Sequence, residues 1–139
     1  MRVGEICNRN VVIVEGDATV VEAAKLMRQH NVGDVLVVEG LNKPQAPIGI
    51  VTDRDIAVHV VAGEAKPESI SVRDAMSFEL VTASENDGVV ETITLFRERK
   101  IRRIPVVDTQ GVLVGILTVD DVIDLLAELL ADIAKLVSP

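Results

Sequence analysis

The chain has few aromatic residues: two Phe and no Trp or Tyr among 139 residues. Its core must therefore be built from Val, Ile, Leu and Ala, which suit parallel strands covered by helices. A chain of this length buries roughly two-thirds of its surface on folding, so it can form a core without disulfides or metals. We therefore expect an α/β or α+β architecture.

Cysteine and long hydrophobic runs are also scarce. The single cysteine, Cys7, excludes an internal disulfide, and no second Cys or His lies beside it at a metal-ligand spacing. The most apolar stretch, 122–137, is interrupted by charged residues, and residues 1–10 are polar. These features predict a cytoplasmic protein with no bound metal and no membrane segment.

Positive charge is limited too. Lys and Arg number 14 against 22 Asp and Glu, giving a net charge of −8, which opposes binding to DNA, RNA or anionic membranes. No G-x-S-x-G, H-E-x-x-H or Gly-rich phosphate loop occurs. His30 and His59 are far apart in sequence and are expected on helix surfaces. We predict that the chain is not an enzyme.

What the sequence does contain is an internal repeat. Val3–Cys7 aligns with Val72–Met76, and Gly49–Thr52 aligns with Gly115–Thr118 after a longer loop in the first copy. A short polar joint, 63–69, lies between the copies, so the two should pack on each other. The predicted domains are residues 1–66 and 67–139.

The first copy has the periodicity strand, helix, strand, strand, helix. Its predicted strands are 11–14, 35–38 and 48–51, with a polar loop at 40–47. Thr19 and Glu22 have capping-box spacing, and they precede a helix whose apolar face is formed by Val20, Ala23, Ala24 and Met27. The last helix runs from about Asp53 toward Gly63, which is predicted as its C′ glycine.

The second copy repeats this order. Its predicted strands are 80–83, 104–107 and 114–117, and its first helix carries Val89, Ile93 and Phe96 on one face. In each copy the first two strands flank a helix, which favours a parallel pair with a right-handed crossover. The predicted fold is α+β (mixed α/β), with two β-α-β-β-α units, each with a small three-stranded sheet, packed by pseudo-twofold symmetry.

Two Thr-x-x-Asp tetrads, Thr52–Asp55 and Thr118–Asp121, follow apolar strands and open helices. A helix N-terminus attracts phosphate, and a carboxylate placed there can accept the hydroxyls of a ribose. The same spacing is also that of a simple helix cap. For either tetrad alone, the two interpretations stay open.

The stretch Gly-Ile-Val-Thr-Asp-Arg-Asp-Ile at 49–56, together with Lys-Ile-Arg-Arg-Ile-Pro-Val-Val-Asp at 100–108, resembles the CBS domain family. The resemblance covers essentially the whole chain in two copies. It implies a Bateman module with two clefts for adenosine-containing regulatory ligands such as AMP, ADP, ATP or S-adenosylmethionine, and no required cofactor.

The resemblance also assigns residues to the two clefts. The favoured first cleft would combine Ile50, Thr52, Arg54 and Asp55 with Val81, Arg102, Arg103 and Pro105. The second would combine Ile116, Thr118 and Asp121 with Val12, Gly33, Asp34 and Leu36.

The two clefts are predicted to differ in charge. Arg54, Arg102 and Arg103 would favour phosphate in the first cleft, whereas Asp34 and Asp120 would repel it in the second. Arg102 and Arg103 follow a helix C-terminus, so an alternative for this pair is that it only offsets the dipole of that helix. Leu36 and the Gly33-Asp34 pair depart from the family pattern at the second cleft.

The final helix carries Val122, Leu126, Leu129, Ile133 and Leu136 in steps of four and three. This spacing predicts packing on the helix's own domain, and a second apolar stripe of Ile123, Leu130 and Val137 predicts contact with a second chain. The functional prediction is a stand-alone regulatory module that forms a homodimer. The alternatives are a dimerisation scaffold without ligand and, less favoured, a nucleic-acid-binding module.

Overall fold

The computed structural model describes residues 1–40, 45–78 and 80–138, which form two compact units. The amino-terminal unit comprises Asn10–Val81 and Gly111–Leu113, and the carboxy-terminal unit comprises Met1–Arg9, Thr82–Gln110 and Val114–Pro139. The start of each sequence copy therefore packs in the unit formed by the body of the other copy. The division at 66/67 stays a prediction about the sequence repeats, and pseudo-twofold packing of the units stays a prediction as well.

The helices and strands follow the predicted order within each copy, and each copy opens with a short extra helix. A π-helical segment, Ala57–Val61, continues α3, and a 3₁₀ turn, Pro67–Ser69, lies in the joint. The elements are α1 Val3–Ile6, β1 Ile13–Glu15, α2 Val20–His30, β2 Asp34–Val38, β3 Pro47–Thr52, α3 Asp53–Ile56, α4 Val72–Ala75, β4 Ala83–Ser84, α5 Val89–Arg99, β5 Arg103–Val107, β6 Leu113–Thr118 and α6 Val119–Val137.

Each unit contains one three-stranded sheet, with strand orders β1-β2-β3 and β4-β5-β6. Strand β1 pairs in parallel with β2, β4 pairs in parallel with β5, and β2 pairs antiparallel with β3. The predicted parallel pairs and the mixed α/β fold class are thus confirmed. The loop predicted at 40–47 lies partly outside the described residues.

Local sequence explains where α2 begins and ends. The Thr19 hydroxyl accepts a hydrogen bond from the Glu22 backbone N–H at 3.4 Å, which caps the helix. Asn31 ends the helix in a left-handed conformation, with φ of 52°. Val20, Ala23 and Met27 are buried, as the apolar spacing predicts.

Segments 1–9 and 67–81 each pack in the unit formed by the body of the other copy, and they dock there through equivalent backbone hydrogen bonds. In the amino-terminal unit the Val72 N–H donates to the Ala18 carbonyl at 2.7 Å, and in the carboxy-terminal unit the Val3 N–H donates to the Asp87 carbonyl at 2.8 Å. Ala18 and Asp87 occupy equivalent positions of the repeat, as do Val3 and Val72. Both helices α1 and α4 are therefore held by one mode of docking, which also fixes the residues that follow them.

Several boundaries differ from prediction. Strand β4 covers only residues 83 and 84, whereas a strand was predicted at 80–83. Ile93 is exposed and Thr92 takes its place on the buried face of α5, with its hydroxyl donating to the Gly88 carbonyl at 2.9 Å. The left-handed residue after the π-helical segment is Glu64 and not Gly63, so the predicted C′ glycine is wrong.

The predicted packing of the final helix also needs correction. Of the α6 residues predicted to pack on their own domain, Val122 is buried, but Leu126, Leu129, Ile133 and Leu136 are exposed. Cys7 is half-buried, and its burial raises the pKa of the thiol, with nearby Arg9 acting in the opposite direction. His30 and His59 lie exposed on helices, as predicted.

Candidate ligand site

Both Thr-x-x-Asp tetrads form reciprocal helix caps. The Thr52 hydroxyl accepts from the Asp55 N–H at 3.1 Å, and Asp55 Oδ2 accepts from the Thr52 N–H at 2.9 Å. Thr118 and Asp121 make the same two bonds at 3.1 and 3.0 Å. Capping occupies Oδ2 of each aspartate and leaves Oδ1 without a hydrogen bond to the part of the chain that the structure describes. Capping and ligand binding are thus compatible at both helix starts.

In the carboxy-terminal unit, the basic pair lies beside the start of α6. The Val119 N–H donates to the Arg102 carbonyl at 2.8 Å, and Arg103 opens β5, the strand next to β6. Arg102 is exposed and Arg103 is half-buried. The backbone of the basic pair and the start of α6, which carries Asp121, therefore lie at one edge of the sheet.

In the amino-terminal unit, the equivalent edge carries less positive charge. The Asp53 N–H donates to the Gly33 carbonyl at 2.9 Å, and β2 and β3 pair Asp34 with Thr52 and Leu36 with Ile50. Where the other unit has Arg102 and Arg103, this edge has Gly33 and Asp34. Its basic residue is Arg54, in the first turn of α3.

The predicted site residues are thus grouped by unit. The amino-terminal unit brings together residues from both predicted clefts: Val12, Gly33, Asp34, Leu36, Ile50, Thr52, Arg54 and Asp55, with Val81 at its boundary. The carboxy-terminal unit holds Arg102, Arg103, Pro105, Ile116, Thr118 and Asp121. Each predicted cleft draws on both units, so the assignment of residues to shared clefts stays a prediction.

The sequence analysis missed two residues that border these edges. Ser77 exchanges backbone hydrogen bonds with Ile50, and Asn8 exchanges them with Ile116, each pair forming an isolated antiparallel bridge. Asn8 and Ser77 occupy equivalent positions of the repeat, and each follows the residue that packs on a glycine, Gly115 or Gly49. The repeat register was the signal that could have identified them.

The space beside Asp121 is acidic on one side. A cavity of about 300 Å³ there is lined by Glu5, Ile6, Asp121, Asp124, Leu125 and Glu128. Because its carboxylates repel anions, a phosphate at this helix start would have to approach from the side of Arg102 and Arg103. Among the described residues, no group of three or more His, Cys, Asp or Glu side chains is arranged to hold a metal ion.

The structure defines a class before any relative is considered: two β-α-β-β-α units, each with a carboxylate at the start of its last helix. Family comparison agrees, since the CBS domain model matches residues 3–62 and 72–128. The chain belongs to the CBS domain family. None of the helices in the described ranges has the length and apolar character needed to cross a membrane.

Several individual proteins are similar to this chain over most of its length. An uncharacterized protein of Methanopyrus kandleri is 38% identical over 133 residues, covering 96% of this chain and 66% of that protein. A CBS domain protein from Pyrobaculum aerophilum, solved in complex with AMP, is 26% identical with a TM-score of 0.78, covering 87% of this chain and 89% of that one. The CBS domain pair of protein MJ0100, solved with 5′-methylthioadenosine and S-adenosyl-L-methionine, is 26% identical with a TM-score of 0.78, covering 92% and 97%.

Proposed function

We propose that the protein is a regulatory CBS-pair module that binds an adenosine-containing ligand and catalyses no reaction. The observation that carries the proposal is the shared sheet edge of the carboxy-terminal unit, where Arg102 and Arg103 lie beside the Thr118–Asp121 helix start. Ligand binding would shift the balance between arrangements of the module according to its different affinities for them. AMP, ADP, ATP and S-adenosylmethionine are the candidate ligands.

The chemistry of this edge fits a nucleotide. Asp121 Oδ1 is available to accept ribose hydroxyls while Oδ2 holds the cap, so ligand and fold do not compete for one oxygen. Guanidinium groups hold phosphate oxygens through paired, charge-assisted hydrogen bonds. The Pyrobaculum protein with AMP and the MJ0100 pair with 5′-methylthioadenosine and S-adenosyl-L-methionine have the same fold, which supports the adenosine class.

The distribution of the site residues between the two units changes which aspartate we assign to the ribose. From sequence, Asp55 was expected to hold the ribose of a nucleotide whose phosphate lies on Arg102 and Arg103. We propose instead that Asp121, which shares a sheet edge with the arginines, holds the ribose of a phosphorylated ligand. The amino-terminal edge, with Gly33 and Asp34, would suit an uncharged or cationic adenosine derivative.

A pair of matched substitutions tests the proposal. Asp55→Ala and Asp121→Ala each remove the same cap hydrogen bond, at 2.9 and 3.0 Å, so their effects on helix stability should be similar. Calorimetric titration with AMP should show affinity reduced at least about 10-fold by Asp121→Ala, because a charged hydrogen-bond acceptor is lost, and by less than about 2-fold by Asp55→Ala. The reverse result would support the sequence-based assignment and overturn ours.

Two other functions would give different results. A dimerisation scaffold would show no rise in melting temperature with AMP, ATP or S-adenosylmethionine, whereas a binder gains stability by mass action. Nucleic-acid binding by the basic residues at 97–103 would give salt-sensitive retention on DNA or RNA. The net charge of −8 favours the ligand-binding module over this alternative.

A further inference from the structure

The last turn of α5 and the residues that follow it form a dense basic patch on an acidic protein. Five of the chain's 14 Lys and Arg residues lie within residues 97–103, where Glu98 is the one carboxylate. Four of the five are exposed and form no salt bridge with another described residue. We call these four residues the basic turn: Arg97, Arg99, Lys100 and Arg102.

The end of a helix does not by itself require this many cations. Helix α2 has the same length as α5, and both end in a left-handed residue whose N–H donates to the carbonyl four residues earlier. The equivalent residues of the first copy, 28–34, nevertheless include one Arg and no Lys. Compensation of the helix dipole therefore explains one cation and leaves the excess at α5 without a structural reason.

Lys100 is present against the conformational preference of its position. Its φ is 55°, in the left-handed region, where Asn is tolerated better than Lys. The first copy has Asn31 at the equivalent position, with φ of 52°. Because the backbone favours Asn or Gly here, the cation at position 100 points to a contact outside the fold.

The basic turn is continuous with the proposed nucleotide site. The Arg102 carbonyl accepts the Val119 N–H at 2.8 Å, so Arg102 lies at the start of α6. The other three cations precede Arg102 by five residues or fewer. Arg102 thus belongs both to the basic turn and to the phosphate end of the proposed site, and two anions bound there would compete for its guanidinium group.

The surroundings of the turn favour an acidic peptide over other polyanions. Duplex nucleic acid and lipid surfaces extend their negative charge well beyond seven residues, onto a chain whose net charge is −8. Single-stranded nucleic acid binds by stacking its bases on aromatic side chains, but the aromatic residue of α5, Phe96, is buried. A short run of Asp and Glu confines its charge to the turn, and guanidinium groups pair with carboxylates.

We infer that the basic turn binds an acidic peptide segment of a partner protein, and that a nucleotide phosphate at Arg102 releases this segment. The release step rests on the proposed function. A phosphate at Arg102 occupies one of the four cations and adds negative charge beside the other three, so the affinity for the acidic segment falls. The module thereby reports the bound nucleotide to its partner by electrostatic competition.

The first experiment measures fluorescence anisotropy of a labelled peptide of about eight glutamates with the full chain in about 20 mM NaCl, where screening is weak. Arg99→Gln combined with Lys100→Asn should raise the dissociation constant at least about 5-fold, because two ion pairs are lost. Lys25→Gln combined with Arg28→Gln is the matched control: it removes the same charge from exposed positions on α2 and should change the constant less than about 2-fold.

Folding and salt dependence are checked in the same series. Gln favours helices and Asn suits the left-handed position, so circular dichroism of both double variants should match that of the unaltered chain. Peptide binding should weaken as NaCl is raised from about 20 to 200 mM, because salt screens the attraction. Repulsion by the net charge alone would give the opposite trend.

The second experiment adds AMP to the peptide complex, with AMP binding followed separately by calorimetry. Saturating AMP should raise the dissociation constant of the peptide at least about 3-fold, whereas adenosine, which lacks the phosphate, should leave it unchanged. AMP that binds without displacing the peptide would overturn the inference.

Other results would also overturn it: no binding of the peptide, equal weakening by the α2 control pair, or affinity that rises with salt. Tighter binding of an oligothymidine of the same charge would assign the turn to nucleic acid instead. Failure of AMP to bind in calorimetry would refute the proposed function and with it the release step, while the two double variants would still decide whether the basic turn holds the peptide.

Discussion

The last helices of the two sequence copies begin alike and then diverge. Each starts at a Thr-x-x-Asp cap with two hydrogen bonds, of 3.1 and 2.9 Å at Thr52 and of 3.1 and 3.0 Å at Thr118. The first continues as the π-helical segment Ala57–Val61 and ends, whereas α6 remains α-helical for 19 residues. At the equivalent positions 60 and 126, Val60 is 2% exposed and Leu126 is 51% exposed. The cap residues set where each helix starts, and the surrounding packing decides what its later turns contact.

The largest expected effect concerns a close backbone approach that occurs in both units, where a strand glycine packs against a docked segment. A Cβ on Gly49 would lie 2.8 Å from the Ser77 carbonyl oxygen, and a Cβ on Gly115 would lie 2.9 Å from the Asn8 carbonyl oxygen. Backbone cannot move aside cheaply, so Gly49→Ala and Gly115→Ala should each lower the free energy of unfolding by about 2–3 kcal/mol in urea titrations. Gly111→Asn is the control, since Gly111 has open space and a φ of +79° that Asn tolerates. A near-neutral Gly115→Ala would mean that the docked segment 1–9 is not held as tightly as segment 67–81.

The next largest effect should distinguish the last helix of the first copy from α6 by the stability cost of shortening a side chain at equivalent positions. Val60→Ala removes buried methyl groups and should cost about 2 kcal/mol, from lost burial and a residual cavity. Leu126→Ala, at the equivalent position, should change the free energy of unfolding by less than about 0.5 kcal/mol. Urea unfolding of both variants at the same low protein concentration, beside the unaltered chain, measures the two changes. Similar costs at the two positions would mean that α6 packs on its own unit after all.

Sequence predicted the features that are set locally. The α2 cap at Thr19 and both Thr-x-x-Asp caps follow from spacing and side-chain chemistry within a few residues. The parallel β1–β2 pair follows from the strand-helix-strand order of the repeat. Ile93 and Gly63 were assigned wrongly, because neighbouring structure placed Thr92 in the core and gave Glu64 the left-handed turn. Local sequence patterns do not specify which of two neighbouring residues packs in the core or takes the left-handed conformation.

The candidate site shows the same limit. The residues were recognisable from motifs, but their grouping depends on backbone pairings such as Val119 with Arg102 and Asp53 with Gly33, which no local pattern specifies. The exchange of segments 1–9 and 67–81 between units was equally hidden, since the two segments have similar sequences and dock by equivalent bonds. Sequence motifs thus identified the residue types of the candidate site, whereas only the fold showed which of these residues lie next to one another.

The smallest expected effect tests whether the two helix starts are energetically equal. Thr52→Val and Thr118→Val each remove a hydroxyl that accepts a 3.1 Å hydrogen bond from the Asp N–H while keeping the side-chain shape. Loss of such a cap costs about 1 kcal/mol, so both variants should lower unfolding free energy by that amount in urea titrations. Thr→Ser at each position keeps the hydroxyl and is the matched control. Clearly unequal losses in the two valine variants would mean that the later turns, π-helical in one case and α-helical in the other, alter the strength of the cap.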